Sequence, residues 1–153
     1  MKKVFTTLEV LNIGAWYKQA RESEKKPLNS LPLKVQWTLK KNMTAFNPTI
    51  ENFTNLQREA EEELRNHYMS DEKSYATQDA DGQDIRKIKD EYLEEFQAEV
   101  TDMNNKLNDI LNEEVEVEVA PINIDKLLDE IGDKETGLSV EDLEILETMK
   151  EEE

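Results

Sequence analysis

A chain of 153 residues with 36 Asp/Glu, 19 Lys/Arg and a net charge of −17 suits one domain with a modest core. The absence of cysteine excludes disulfides and thiolate catalysis. No apolar run approaches the length of a membrane span, and the Met-Lys-Lys start leads into Val4-Phe5 without a signal-peptide core, so an intracellular or packaged protein is expected. The charge is uneven: +6 over residues 1–45, −10 over 46–112 and −13 over 113–153. Such a field repels phosphate backbones and anionic lipid headgroups, which argues against direct nucleic-acid or membrane binding. The basic front can dock an acidic partner or contact the acidic rear of its own chain.

In chain order, Lys2 to Phe5 reads as a short strand, and Thr6-Thr7-Leu8-Glu9 as a capping box with Thr6 as N-cap. The helix it opens carries Leu8, Leu11, Ala15 and Trp16, with Ile13, Tyr17 and Ala20 widening the apolar face. It fades in Glu22 to Lys26, and Pro27 to Pro32 is a loop. A long helix follows from about Leu33 to Tyr68. Its seam is Leu39, Met43, Phe46, Ile50, Phe53, Ala60, Leu64 and His67, spaced alternately by four and three with Gln57 at the one polar position. Pro48 removes one backbone donor and predicts a kink, yet the seam keeps phase on both sides of it.

Ser70 to Gly82 is polar, with Asp81-Gly82 as a turn. From Asp84 a second long helix is predicted, presenting Ile85, Ile88, Tyr92, Phe96, Val100, Met103, Leu107 and Ile110 with a local shift of phase. Two amphipathic helices joined by a polar segment fold back most simply as an antiparallel hairpin over about 33–112, whose open side the first helix can cover. Glu114 to Val119 alternates Glu and Val, so Val115, Val117 and Val119 face the core of a half-wet strand. It needs a neighbour: Lys3 to Phe5 first, Tyr75 to Thr77 second. Ile122 and Ile124 take the opposite parity after Pro121, and Asp125 caps a short helix ending at Gly132. Ser139 caps a last helix with Asp142 at its third position, Leu138 stapled to Leu143, and Leu143, Leu146 and Met149 on one face. Glu151 to Glu153 should fray, and they also set negative charge at a helix C-terminus, where the dipole disfavours it.

The fold class is therefore mainly α with a small β element. It comprises a long antiparallel helical hairpin, short N-terminal and C-terminal helices and a two-stranded sheet, in a single domain over 1–153 whose strand and C-terminal helices occupy 113–153. The coiled-coil-like seam also offers a surface for homo-oligomers.

Chemistry is sparse. Asp79, Asp81, Gly82 and Asp84 resemble part of a calcium loop, but Thr77 and Ile88 stand where such a loop needs acids, so a solvated turn is the reading. His67 is the single histidine and has no second histidine or cysteine near it in sequence, which fits a satisfied or half-buried structural role. Trp16 and Trp37 read as core packing rather than partner anchors. Glu59, Glu61, Glu62 and Glu63, and Glu91, Glu94, Glu95 and Glu99, alternate with the apolar seams and so face solvent rather than a two-metal or glycosidic site. The glycines are not clustered for a phosphate loop, and there is no serine elbow. No residue is assigned a catalytic, cofactor-binding or metal role, and no cofactor is expected.

The order of features resembles a family. The capped first helix, the long helix from Leu33-Lys34-Val35 to His67-Tyr68 and the Asp79-Ala80-Asp81-Gly82 turn come first. Leu111-Asn112-Glu113-Glu114-Val115-Glu116-Val117, Ile122-Asn123-Ile124-Asp125-Lys126-Leu127 and Leu138-Ser139-Val140-Glu141-Asp142-Leu143 follow. Together they look like the small, acidic, functionally uncharacterised proteins encoded by bacteriophages and prophages of Gram-positive hosts. That resemblance implies phage origin and residence in the host cytoplasm or the virion. With the seams and the missing chemistry, it leads to the expectation of a non-enzymatic protein–protein interaction protein, a virion assembly factor or minor virion component. The alternative is an acidic DNA mimic that blocks a host nucleic-acid enzyme or defence nuclease.

Overall fold

The structure is a computed structural model that describes residues 1–132 and 136–152. In order, its elements are β1 (Lys2–Thr6), α1 (Thr7–Glu22), a short 3-10 helix (Pro27–Ser30), α2 (Leu33–Tyr68), β2 (Ser74–Gln78), β3 (Asp84–Ile88), α3 (Asp90–Leu111), β4 (Glu114–Glu118), α4 (Ile124–Ile131) and α5 (Val140–Glu147). The chain divides into two compact units, Met1–Glu51 with Asn112–Glu153, and Asn52–Leu111. The long helix α2 has the predicted span and continues through Pro48 without interruption.

The first unit holds a closed core. β1 pairs antiparallel with β4, Phe5 opposite Val115 and Lys3 opposite Val117, which is the pairing expected for the Glu-Val alternation. Phe5, Val117 and Val119 are buried, and the Phe5 ring meets the edge of Phe46 at 5.2 Å between centroids. The Thr6–Glu9 capping box forms as read. The buried face of α1, however, is Val10, Ile13 and Ala20, while Leu8 is 43% exposed and Ala15 lies outside. The phase is set by the helix it packs on. A Cβ at Gly14 would stand 2.6 Å from Ile50 Cδ1, so glycine allows α1 its close approach to the first half of α2. That half of α2 is its partner within the first unit.

Local chemistry closes the C-terminal elements. Asn123, not Asp125, caps α4 by accepting from Lys126 N, and Gly132 ends it at φ +54°. Ser139 and Asp142 form a reciprocal capping box on α5, and Asp142 Oδ1 also accepts from Trp16 Nε1 at 2.8 Å. Leu146 and Met149 are fully buried, with Leu143 beside the core. A cation meets the carbonyls that follow α5: Lys3 Nζ donates to Thr148 O at 2.8 Å and Lys150 O at 3.1 Å. Ile122 N bonds Met149 O at 3.0 Å. Glu151 and Glu152 carry no regular structure, and Glu153 lies outside the described residues.

The second unit corrects the sequence reading. Asp84 to Ile88 is a strand, so Ile85 and Ile88 lie outside α3, which begins at Asp90. Ser74–Gln78 pairs with it, Thr77 opposite Ile85, as a second two-stranded sheet rather than as a neighbour of β4. Asp79 makes the turn. Its Oδ1 accepts from Asp81 N and Gln83 N, each at 2.9 Å, and Gly82 takes φ +78°. The calcium-loop lookalike is thus a hairpin turn closed by its own carboxylate.

Candidate interaction surface

Within the second unit, α2 and α3 run antiparallel. His67, near the end of α2, meets Glu99 in the first half of α3, and Leu56 shares a groove with Ile110 at the end of α3. The groove measures about 570 Å³, with Leu56, Ala60 and Leu64 on one wall and Met103, Leu107 and Ile110 on the other. Five of them are seam positions the heptads predicted, Leu56 lies beside the polar seam position Gln57 instead, and none of the six is buried. Leu56 is 36% exposed, and α3 has no buried residue along its whole length. A 22-residue helix with a sharply segregated apolar stripe that stays half open lacks a cover among the described residues.

Charge frames the stripe. Asn52–Tyr68 and α3 together carry eleven acidic and three basic residues. Glu59, Glu61, Glu62, Glu63, Glu91, Glu94 and Glu95 are exposed, as the sequence implied, and only Glu99 is partly covered. Along the groove, Lys106 is held by Asp102 at 3.1 Å on its own helix. The surface is apolar along its floor and acidic at its edges. It suits an amphipathic helix with basic flanks.

The groove ends at a small aromatic cluster. His67 Nδ1 lies 3.3 Å from Glu99 Oε2, and Lys73 Nζ donates to His67 Nε2 at 3.0 Å. That donation makes Nε2 the acceptor and leaves Nδ1–H to donate to Glu99. His67 has two partners, but its side chain is 48% exposed, because the buried place one residue on belongs to Tyr68. Tyr68 packs edge-on to Phe96 at 5.1 Å, and Lys73 sits over both Tyr68 and Tyr92. Loss of solvent pushes the Tyr68 phenol up to about 12, and the Glu99 and Glu95 carboxylates add to the rise. Its hydroxyl is buried, and although Glu99 and Glu95 lie near it, no group among the described residues meets it in hydrogen-bonding geometry. Burial also raises Tyr92, with Glu91, Glu72 and Glu95 contributing.

Of the other residues singled out from sequence, Trp16 packs beside the core and bonds Asp142. Trp37 does not pack as expected: it is 57% exposed, since two residues before Leu39 is nearly the opposite side of the helix from the seam. Among the described residues no three His, Asp or Glu side chains converge in a way that could hold a metal ion, and no helix is long and apolar enough to cross a membrane. One buried polar group went unread. Asn42, 1% exposed between seam residues Leu39 and Met43, donates to Ala120 O at 2.9 Å and accepts from Ala120 N at 2.7 Å. No protein-family model matches the chain, nor does any curated protein or solved structure.

Proposed function

We propose that the chain is a non-enzymatic interaction protein that receives an amphipathic, basic-flanked helix of a protein partner in the groove between α2 and α3. The observation that carries this reading is the half-open apolar stripe over Leu56, Leu64, Met103, Leu107 and Ile110. Covering it would complete a three-helix layer and remove apolar surface from water. A second copy is the weaker occupant, because it would bring two strongly acidic surfaces together.

The setting we propose is a bacteriophage or prophage of a Gram-positive host, on the resemblance of the Asn112–Val117 run and the capped C-terminal helices to that family. The protein would act in the host cytoplasm or the virion, in assembly or as a minor component. Deleting the gene and complementing it with Leu56→Asp/Leu107→Asp tests both parts. Fewer or malformed particles, rescued by wild type but not by the variant, are expected. Normal particles at normal yield without the gene would overturn the assembly role. Full rescue by the variant would overturn the groove.

The exposed acidic faces of both helices favour a second reading, an acidic decoy for the DNA-binding cleft of a host enzyme. Its mark is capture of a nucleic-acid enzyme that added DNA displaces and that Leu56→Asp leaves bound.

A further inference from the structure

A second site lies in the first unit, where α1, the 3-10 helix and the start of α2 enclose a pocket of about 800 Å³. Leu28 and Leu39 are buried at its base, whereas Leu33 and Trp37, one turn apart on α2, are 80% and 57% exposed. Three cations surround them: Arg21, Lys34 and Lys40. Among the described residues no acid lines the pocket, in a chain with nearly twice as many acids as bases. None of the three cations is in an ion pair among the described residues. Two lie instead over aromatic rings, Arg21 5.6 Å from the centre of Tyr17 and Lys40 5.4 Å from that of Trp37. Exposed aromatic and aliphatic anchors ringed by unneutralised cations are the chemistry of a site for a carboxylate-rich ligand with an apolar side chain to bury.

We infer that this pocket binds a short acidic peptide segment of a partner protein, with an aromatic or large aliphatic side chain against Trp37 and Leu33 and carboxylates on Arg21, Lys34 and Lys40. A nucleic acid fits less well. Its affinity grows with the number of phosphates neutralised, and three cations against a net charge of −17 offer few. Its charge preference is opposite to that of the α2–α3 groove, so the two surfaces would not compete for one ligand. This site stands or falls independently of the groove.

Selection from a ribosome-displayed library of random dodecapeptides on the full chain, counter-selected on Lys34→Glu/Trp37→Ala/Lys40→Glu, tests it. Enrichment of peptides with several acids beside Trp, Phe or Leu is expected. Binding of the synthetic consensus peptide should weaken with salt, and about tenfold with either Trp37→Ala or Lys34→Glu. All three replaced side chains project at or near the surface, and circular dichroism checks that the variants fold. Lys34→Gln/Lys40→Gln serves if the charge reversals do not. No enrichment over the variant, or a basic or uncharged consensus, overturns the proposal. So does displacement of the peptide by a single-stranded oligothymidylate. Self-association lost on Trp37→Ala would give the pocket to a second copy instead, and would equally refute it.

Discussion

Asn42 is where the fold should be most sensitive to the loss of one polar side chain. The β1–β4 ladder ends with Val119 N donating to Met1 O at 2.8 Å, so the next residue, Ala120, has no strand beside it. Asn42 supplies the missing neighbour. Its amide donates to Ala120 O at 2.9 Å and its carbonyl oxygen accepts from Ala120 N at 2.7 Å, the way an adjacent strand would. Its Nδ2 also lies 3.6 Å from Met149 Sδ, so α2, the segment just after β4 and the turn after α5 meet at one amide.

Asn42→Ala removes two hydrogen bonds, each contributing about 1 kcal/mol net, and leaves a backbone donor and acceptor unpaired in the interior. The combined cost should be about 3 kcal/mol, which for a chain of this size lowers Tm by about 10 °C. Asn42→Leu separates polarity from volume. It fills the site but still orphans Ala120, so it should cost about 2 kcal/mol. Because the two units need not melt together, amide exchange is the sharper assay. The Ala120 amide should exchange much faster in both variants, with α3 unaffected. If Asn42→Leu is as stable as wild type and Ala120 stays protected, the amide is not standing in for a strand and the reasoning fails.

Phe53 is 8% exposed, and Phe53→Asp should cost on the order of 3 kcal/mol by placing an unpaired charge in the α2 seam; a wild-type denaturant midpoint would mean that seam is not packed there. Ser139→Ala should cost about 1 kcal/mol through the lost cap, and Asp142→Ala about 2 kcal/mol, because it also strands Trp16 Nε1; equal losses in urea melts would mean the Trp16 bond contributes nothing. The Tyr68 phenol is favoured neutral in the fold, so its share of stability is complete below its ordinary value of 10.0 and is lost as pH rises toward about 12. Tyr68→Phe should flatten that alkaline decline, and should not lower Tm at neutral pH, since it deletes a hydroxyl with no hydrogen bond among the described residues.

What could be read from the sequence was what is locally encoded. The Thr6 and Ser139 boxes, the bounds of α2 and the parity of Val115 to Val119 each follow from residues a few places apart. The errors came where two periods coincide or where tertiary packing chooses. Ile85, Ile88 and Tyr92 are spaced as one helix face, so nothing in that spacing marks the strand boundary at Lys89. Leu8 and Val10 both belong to plausible faces of α1, and only the approach of Gly14 to Ile50 decides for Val10. Asn42 was invisible for a related reason: its partner lies 78 residues away, and a polar residue next to a seam carries no mark of it. The groove had the opposite fate. Every wall residue but Leu56 was legible as seam, but periodicity reports which side of a helix is apolar, not whether anything covers it.

That distinction bears on where a partner would act. Fifteen apolar residues form one buried cluster in the first unit, while the second buries only Phe53, Tyr68 and Ser74 among its described residues. A hairpin of helices with so little covered surface has a low free energy of local opening, and binding surfaces are commonly drawn from such regions. A ligand that binds the closed form stabilises it in proportion to the logarithm of its concentration over Kd. The helix proposed for the groove should therefore slow amide exchange throughout α3 and the second half of α2 and leave β1 and β4 unchanged. An acidic peptide in the Trp37 pocket should do the reverse, protecting the start of α2 and leaving α3 as it was. A partner that slowed exchange evenly across both units would instead be binding through neither surface, and would refute the assignment of either.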